Sequence, residues 1–132
     1  MDATAVDEIN SLVALDHGAA IRQQPLTVTT YSIDDFCSIH GTAPTLIKID
    51  AEGAEYEILA GARETFLQHR PSGIIALHRY AYADAEATLQ QIWQVMKDYK
   101  MQLLHQQVPI SQDTFLQLHE KGLLDIQFQP LT

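Results

Sequence analysis

The chain has 132 residues, of which 46% are hydrophobic and 19% are charged, a profile that is typical of one soluble globular domain. The net charge of −9 comes from 8 basic and 17 acidic residues, so nucleic acids and anionic membranes are excluded as expected partners. No apolar run is long enough to span a membrane, and the acidic start "MDATAVDEIN" does not resemble a signal peptide. The single cysteine, Cys37, permits no internal disulfide. We therefore expect a cytoplasmic protein.

Residues 1–24 form an N-terminal segment for which the sequence predicts a short helix followed by a linker. Val6, Ile9, Leu12 and Val13 have helical spacing, whereas "DHGAAIRQQP" is typical of a loop. Residues 25–132 then make up the remaining part of the domain.

From residue 25 onward, strand patterns alternate with helix patterns. The predicted strands are residues 26–32, 45–51, 73–78, 101–107 and 123–130. The predicted helices are a short one that Ser32 and Asp35 cap and that stops at Gly41, and those at residues 54–70, 84–99 and 111–122. The last strand alternates apolar and polar residues, as a half-buried or edge strand does. This alternation predicts an α/β fold with a mostly parallel sheet.

Asp50, Glu52 and Glu55 lie where the second of these strands ends and a helix pattern begins, in "LIKIDAEGAEYEILAGA" at residues 46–62. Asp50 and Glu52 lie at the carboxyl end of the strand, where open α/β sheets bind ligands. Glu55 shares the inward helical stripe with Leu59 and points back toward this end. Lys48 is a charge within an apolar strand and needs an anionic partner. The sequence therefore predicts a cluster of one lysine and two or three carboxylates beside a crevice.

A purely structural interpretation of this cluster stays open. Acidic residues in a first helical turn complement the helix dipole, and a Lys48–Glu55 pair would satisfy a buried charge. His78 ends the strand at residues 73–78, at the same sheet rim as Asp50, and is either a site residue or a hydrogen-bonded core residue. The other histidines show no metal-ligand spacing.

The motifs resemble a known family. "VTTYSIDDF" at residues 28–36, "LIKIDAEGAEYEILAGA", "RPSGIIALH" at residues 70–78 and the closing "LLDIQFQP" look like the C-terminal part of FkbM-type S-adenosylmethionine-dependent methyltransferases. The central segment matches the family's "iKiDvEGaE" element and the "vLxGa" helix that follows it. The resemblance covers roughly residues 28–128. It implies part of a class I methyltransferase (Rossmann-like) sheet with an antiparallel C-terminal strand and helices on both faces.

The resemblance also implies a reaction, which is methyl transfer from S-adenosylmethionine to a hydroxyl acceptor such as a sugar or a secondary metabolite. In that reaction Asp50 is the first candidate for base or acceptor positioning, and Glu52 is the second. Lys48 and Glu55 would orient the site, and His78 would contact the acceptor. The carboxylates could instead bind a divalent cation, but no ligand set is defined, so we predict no metal site.

One family feature is missing. Members begin with a strand and a glycine-rich loop that hold the cofactor, whereas the six glycines of this chain are scattered. We therefore expect a truncated or split member that is inactive alone and is completed by an N-terminal half, or that forms a homodimer through the exposed edge of the strand at residues 45–51. The alternative is a non-catalytic remnant of the fold that serves as an interaction module.

Overall fold

The computed structural model describes residues 5–7, 26–118 and 124–132. Strand β1 (Ala5–Asp7) pairs antiparallel with β2 (Thr27–Thr29) in a small two-stranded sheet. The described part of the predicted N-terminal helix is therefore a strand, and the rest of that prediction lies outside the described residues. None of the described helices has the length and apolar character needed to cross a membrane.

The other elements follow the predicted alternation of strands and helices. They are α1 (Ile33–His40), β3 (Leu46–Ile49), α2 (Glu55–Ala60), α3 (Arg63–His69), β4 (Ser72–Leu77), a 3-10 turn (Arg79–Ala81), α4 (Ala85–Asp98), β5 (Met101–His105), β6 (Val108–Pro109), α5 (Gln112–Leu118) and β7 (Leu124–Pro130).

The main sheet has the strand order β3-β4-β7-β5-β6. Its β3–β4 pair is parallel, whereas the other three pairs are antiparallel. The prediction of a mostly parallel sheet is therefore wrong, although the antiparallel C-terminal strand is confirmed. The reason is that β7 inserts between β4 and β5, which run in the same direction, and so replaces one parallel contact with two antiparallel ones. This central position also shows that β7 is not an edge strand.

The packed core of the described residues lies on one face of the sheet. Every helix from α1 to α5 contributes to it, and the strands contribute alternate residues such as Ile49, Ile75 and Ile126. The predicted inner face of α4 is confirmed, because Leu89, Ile92, Trp93, Met96 and Tyr99 are all buried.

The opposite face of the sheet is open in the described part of the chain. Leu46 on this face is 73% exposed and Ile74 is 37% exposed, and the face forms a groove of about 620 Å³. The expectation of helices on both faces is thus not met by these residues. Because β3 is at the edge of the main sheet, one end of the open face coincides with a strand edge that no described strand pairs.

The single helix predicted at residues 54–70 is two helices, α2 and α3, interrupted at Gly61 and Ala62. Asp34, on α1, stabilises the break between α2 and α3. Its backbone N–H donates to the Gly61 carbonyl at 3.0 Å. Its carboxylate accepts from the backbone N–H groups of Glu64 at 3.0 Å and Thr65 at 2.8 Å, which are free donors in the first turn of α3. A residue thirty positions away therefore caps the second helix.

The short strand β6 was not predicted from the sequence. It follows β5 through a two-residue turn in which Gln106 and Gln107 have φ values of 50° and 67°. Positive φ at both central residues gives the turn the twist that a hairpin needs. Glutamine is not a residue that normally indicates such a turn, so the sequence carried no local signal for it.

Gly73 tests the packing between the strands. A Cβ at this position would lie 1.8 Å from the Ile47 carbonyl oxygen and 2.6 Å from the Phe128 ring. We expect Gly73→Ala to lower the free energy of unfolding by about 3 kcal/mol or more, because both the β3–β4 pair and the aromatic ring must move. Gly41→Ala is the control. Gly41 has a φ of 61° and open space around it, so only backbone strain of about 1 kcal/mol applies. Equal losses in urea unfolding would contradict this account.

Candidate functional site

The candidate site is centred on the carboxylate of Glu55, the first residue of α2, which is fully buried. One oxygen, Oε1, accepts hydrogen bonds from the backbone N–H groups of Ala51 at 3.3 Å and Gly53 at 3.2 Å. The other, Oε2, accepts from Gly53 N–H at 3.1 Å and from the Tyr82 hydroxyl at 2.8 Å. His78 Nδ1 lies 2.8 Å from Oε1. Every one of these partners can donate, so the environment fits an ionised carboxylate, which only accepts.

The backbone of the turn between β3 and α2 places these donors. Glu52 has a φ of 48° and Gly53 a φ of 117°. The Gly53 value is one that residues with a Cβ rarely adopt, and it directs the N–H of Gly53 at both oxygens of Glu55. Glycine at this position is therefore required by the hydrogen bonds to the buried carboxylate.

His78 joins the buried carboxylate to an exposed one. It follows β4, and its side chain is 7% exposed. Its Nε2 lies 3.4 Å from Asp50 Oδ1, and the Asp50 side chain is 45% exposed. Asp50 follows β3, so the parallel β3–β4 pair brings the two residues together at one end of the sheet. The imidazole thus lies between two carboxylates, one solvent-accessible and one fully buried.

The Lys48–Glu55 pair, which the structural interpretation left open, does not form. Lys48 Nζ lies 3.5 Å from Asp50 Oδ2, and the Lys48 side chain is 70% exposed. Strand alternation turns Lys48 to the open face of the sheet, where it needs no buried partner. An exposed pair of this kind contributes about 0–1 kcal/mol to stability. The side chains that contact Glu55 are instead those of His78 and Tyr82.

The structure therefore brings together four of the five predicted site residues, which are Lys48, Asp50, Glu55 and His78. Glu52 is half-buried in the turn, and among the described residues no hydrogen bond or ion pair joins it to the others. Tyr82 belongs to the site but was not predicted. The one signal that could have indicated it is that a buried glutamate requires donors, and this signal does not identify which residues supply them.

Tyr82 is held in its protonated form. Burial, and then the neighbouring Glu55 charge, raise the pKa of its hydroxyl far above the ordinary value of 10.0. The phenol consequently acts as a hydrogen-bond donor to Glu55 and does not accept a proton from it. Within residues 26–118 and 124–132, no group of three or more His, Cys, Asp or Glu side chains has the arrangement of a metal site.

Comparison with known families agrees with the motifs around Asp50. The family model of the FkbM methyltransferase domain matches residues 9–103, which is more than half of the chain. The chain belongs to this family. No curated protein and no solved structure gives a match. The FkbM match includes β3, the Asp50–Glu55 turn, His78 and Tyr82, so the whole cluster lies within the FkbM domain.

The described residues of this FkbM domain do not by themselves fit a complete S-adenosylmethionine site. Their glycines are Gly41, Gly53, Gly61 and Gly73, and no two of them are close enough in sequence to form a glycine-rich turn. The one glycine at the crevice, Gly53, already donates its N–H to Glu55. These residues provide one carboxylate-bearing wall of the crevice.

The protonated Tyr82 gives a testable pH dependence. Above pH 10 the unfolded chain releases this phenol proton while the folded chain retains it, so stability is complete below about pH 10 and falls as the pH rises. We expect Tyr82→Phe to make the loss of unfolding free energy above pH 10 less steep by one proton, which is about 1.4 kcal/mol per pH unit. At neutral pH the variant should lose about 2 kcal/mol with its hydrogen bond to a charged group.

Urea unfolding at several alkaline pH values measures both effects. Tyr99→Phe is the comparison, because burial also raises the pKa of the Tyr99 hydroxyl, which donates to the Leu59 carbonyl at 2.7 Å. It should reduce the alkaline slope in the same direction. The same slope in the original chain and in Tyr82→Phe would contradict the assignment.

Proposed function

We propose that this chain is the acceptor-side part of an S-adenosylmethionine-dependent O-methyltransferase that methylates a hydroxyl group, for example on a sugar or a secondary metabolite. Its membership of the FkbM family supports the methyltransferase activity. The observation that carries the acceptor chemistry is the arrangement of Asp50, His78 and Glu55 at the carboxyl ends of β3 and β4. Methyl transfer to a hydroxyl requires that oxygen to be held in line and to lose its proton.

Asp50 is the residue that can meet the acceptor. Its side chain is 45% exposed, whereas His78 and Glu55 are buried behind it. In this proposal Asp50 accepts a hydrogen bond from the acceptor hydroxyl. This contact positions the acceptor oxygen, and the Asp50 carboxylate then receives the hydroxyl proton. Lys48 Nζ, 3.5 Å from Asp50 Oδ2, places a positive charge beside this carboxylate.

The cofactor, when bound, supplies the methyl group, and we propose that its binding requires a complementing segment. That segment would carry the glycine-rich turn and would pair with the edge of β3. The position of β3 at the sheet edge and the exposure of Leu46 support this, because an unpaired apolar edge is a template for another strand. The same edge supports the second candidate, which is a non-catalytic interaction module or a homodimer.

A complementation experiment tests the proposed function. The N-terminal half of an active FkbM methyltransferase is fused to residues 26–132, and transfer of a radiolabelled methyl group to that enzyme's acceptor is measured. We expect the fusion to transfer methyl and the 132-residue chain alone not to. Asp50→Asn in the fusion should lower kcat by about 10²–10⁴-fold, because proton removal is lost, with a change in stability within about 0.5 kcal/mol.

Asp113→Asn is the matched control, because it neutralises an exposed carboxylate in the first turn of α5, and it should leave kcat unchanged. A fusion that transfers methyl equally well with Asp50→Asn would remove Asp50 from the catalytic role. A folded fusion, or a stable complex of the two halves, with no transfer under any condition would favour the interaction module instead.

The cofactor requirement gives a separate prediction for the chain as it is. Calorimetric titration of the 132-residue chain with S-adenosylmethionine should show no saturable heat at micromolar concentrations. Each missing hydrogen bond contributes on the order of 1 kcal/mol or more when a partner is charged, so the loss of several weakens binding by at least about a hundredfold. A micromolar binding curve would instead show that this chain forms a cofactor site without a complementing segment.

A further inference from the structure

The Asp50–His78–Glu55 arrangement is asymmetric in exposure. Asp50 is 45% exposed, the His78 side chain 7%, and Glu55 0%. An acceptor in the crevice can therefore reach Asp50 more readily than His78 or Glu55. Among the described residues, His78 Nε2 lies 3.4 Å from Asp50 Oδ1 and can accept a proton that arrives on Asp50.

Glu55 determines which nitrogen of His78 carries the proton in the neutral ring. The Nδ1 atom lies 2.8 Å from an oxygen of a carboxylate that only accepts, so Nδ1 must donate. The Nε2 atom then holds a lone pair that faces Asp50. In known catalytic sites, a buried carboxylate holds a histidine in one tautomer, so that its other ring nitrogen can act as a base.

We propose that His78 stores the proton that Asp50 takes from the acceptor hydroxyl, a role that rests on the proposed function and deepens it. The acceptor O–H bond breaks with its electron pair left on oxygen, and an O–H bond forms on Asp50. That bond then breaks as an Nε2–H bond forms on His78. Asp50 returns to a carboxylate, and the proton resides on an imidazolium between two carboxylates until water removes it past Asp50.

The other groups around His78 are unable to take this role. Both oxygens of Glu55 are occupied by donors from Ala51, Gly53, His78 and Tyr82. The Tyr82 hydroxyl keeps its own proton because burial and the Glu55 charge raise its pKa. The Tyr80 ring contacts the imidazole edge-on at 5.7 Å between ring centroids and carries no charge. Lys48 faces Asp50 and not His78.

Glu55 and Tyr82 are therefore positioning residues, and they act through His78. Tyr82 contacts two members of the arrangement, since its hydroxyl donates to Glu55 and accepts from the His78 backbone N–H at 3.3 Å. The backbone contact fixes the strand end that carries the imidazole. The hydroxyl contact fixes the carboxylate that orients it.

Nitrogen-15 NMR of the histidine rings in the 132-residue chain tests this without cofactor or acceptor. In the neutral ring of His78 we expect Nδ1 to be protonated and Nε2 to be unprotonated. His40 and His69, which are exposed, serve as internal references in the same spectra. A neutral His78 ring with its proton on Nε2 would overturn the proposal.

Glu55→Gln then separates the charge from the hydrogen bond. The amide oxygen can still accept from Nδ1, but the negative charge is gone, so His78 should bind its second proton at least about tenfold more weakly than in the original chain. Asp50→Asn, at an exposed position, should weaken this binding in the same direction, and it keeps the test valid if Glu55→Gln fails to fold. Tyr99→Phe, which removes a buried hydroxyl elsewhere, should leave it unchanged.

Binding of the second proton that is equal in the original chain, Glu55→Gln and Asp50→Asn would overturn the stored-proton role. Loss of methyl transfer in every fusion, with the predicted tautomer and proton binding intact, would count against the proposed function instead. The two failures therefore appear in different measurements.

Discussion

The buried negative charge of Glu55 is the constraint on which the site depends. A carboxylate with 0% exposure is stable only when its lone pairs are occupied, and here two backbone N–H groups, an imidazole and a phenol occupy them. Removing one hydrogen-bond donor from a buried charge costs about 1.5–3 kcal/mol. To meet this requirement, Gly53 adopts a positive φ and Glu55 begins α2. The end of β4 and the 3-10 turn lie close enough for His78 and Tyr82 to reach Glu55.

Two carboxylates at the same end of the sheet differ in their exposure to solvent. Asp50 is at the surface with a lysine beside it, and Glu55 is inside with no access to solvent. His78 contacts both carboxylates, so one imidazole ring connects the buried Glu55 with the exposed Asp50. A site of this kind separates the atom that meets a substrate from the atoms that control its proton, which suits proton removal from a hydroxyl group.

The sheet explains why a site on the rim coexists with an unpaired edge. The parallel β3–β4 pair is what brings Asp50 and His78 together, and β7 on the other side of β4 holds that pair in place through Gly73 and Phe128. The outer side of β3 makes no pairing in the described residues. In the described residues the part of the sheet that carries Asp50 is thus packed on its inner side, while the edge next to it is left without a paired strand.

Local patterns determined much of this architecture. The Ser32 cap, confirmed by the hydrogen bond from Asp35 N–H at 3.0 Å, and the buried stripe of α4 depend on residues within a few positions of one another, and so does the motif that identified the FkbM family. Tertiary structure alone decided the central place of β7, the cap that Asp34 provides for α3, the exposure of Lys48 and the contact between Tyr82 and Glu55. Each of these depends on segments far apart in the chain. Which distant side chains contact the buried charge depends on which strand ends pair, and no local periodicity encodes that pairing.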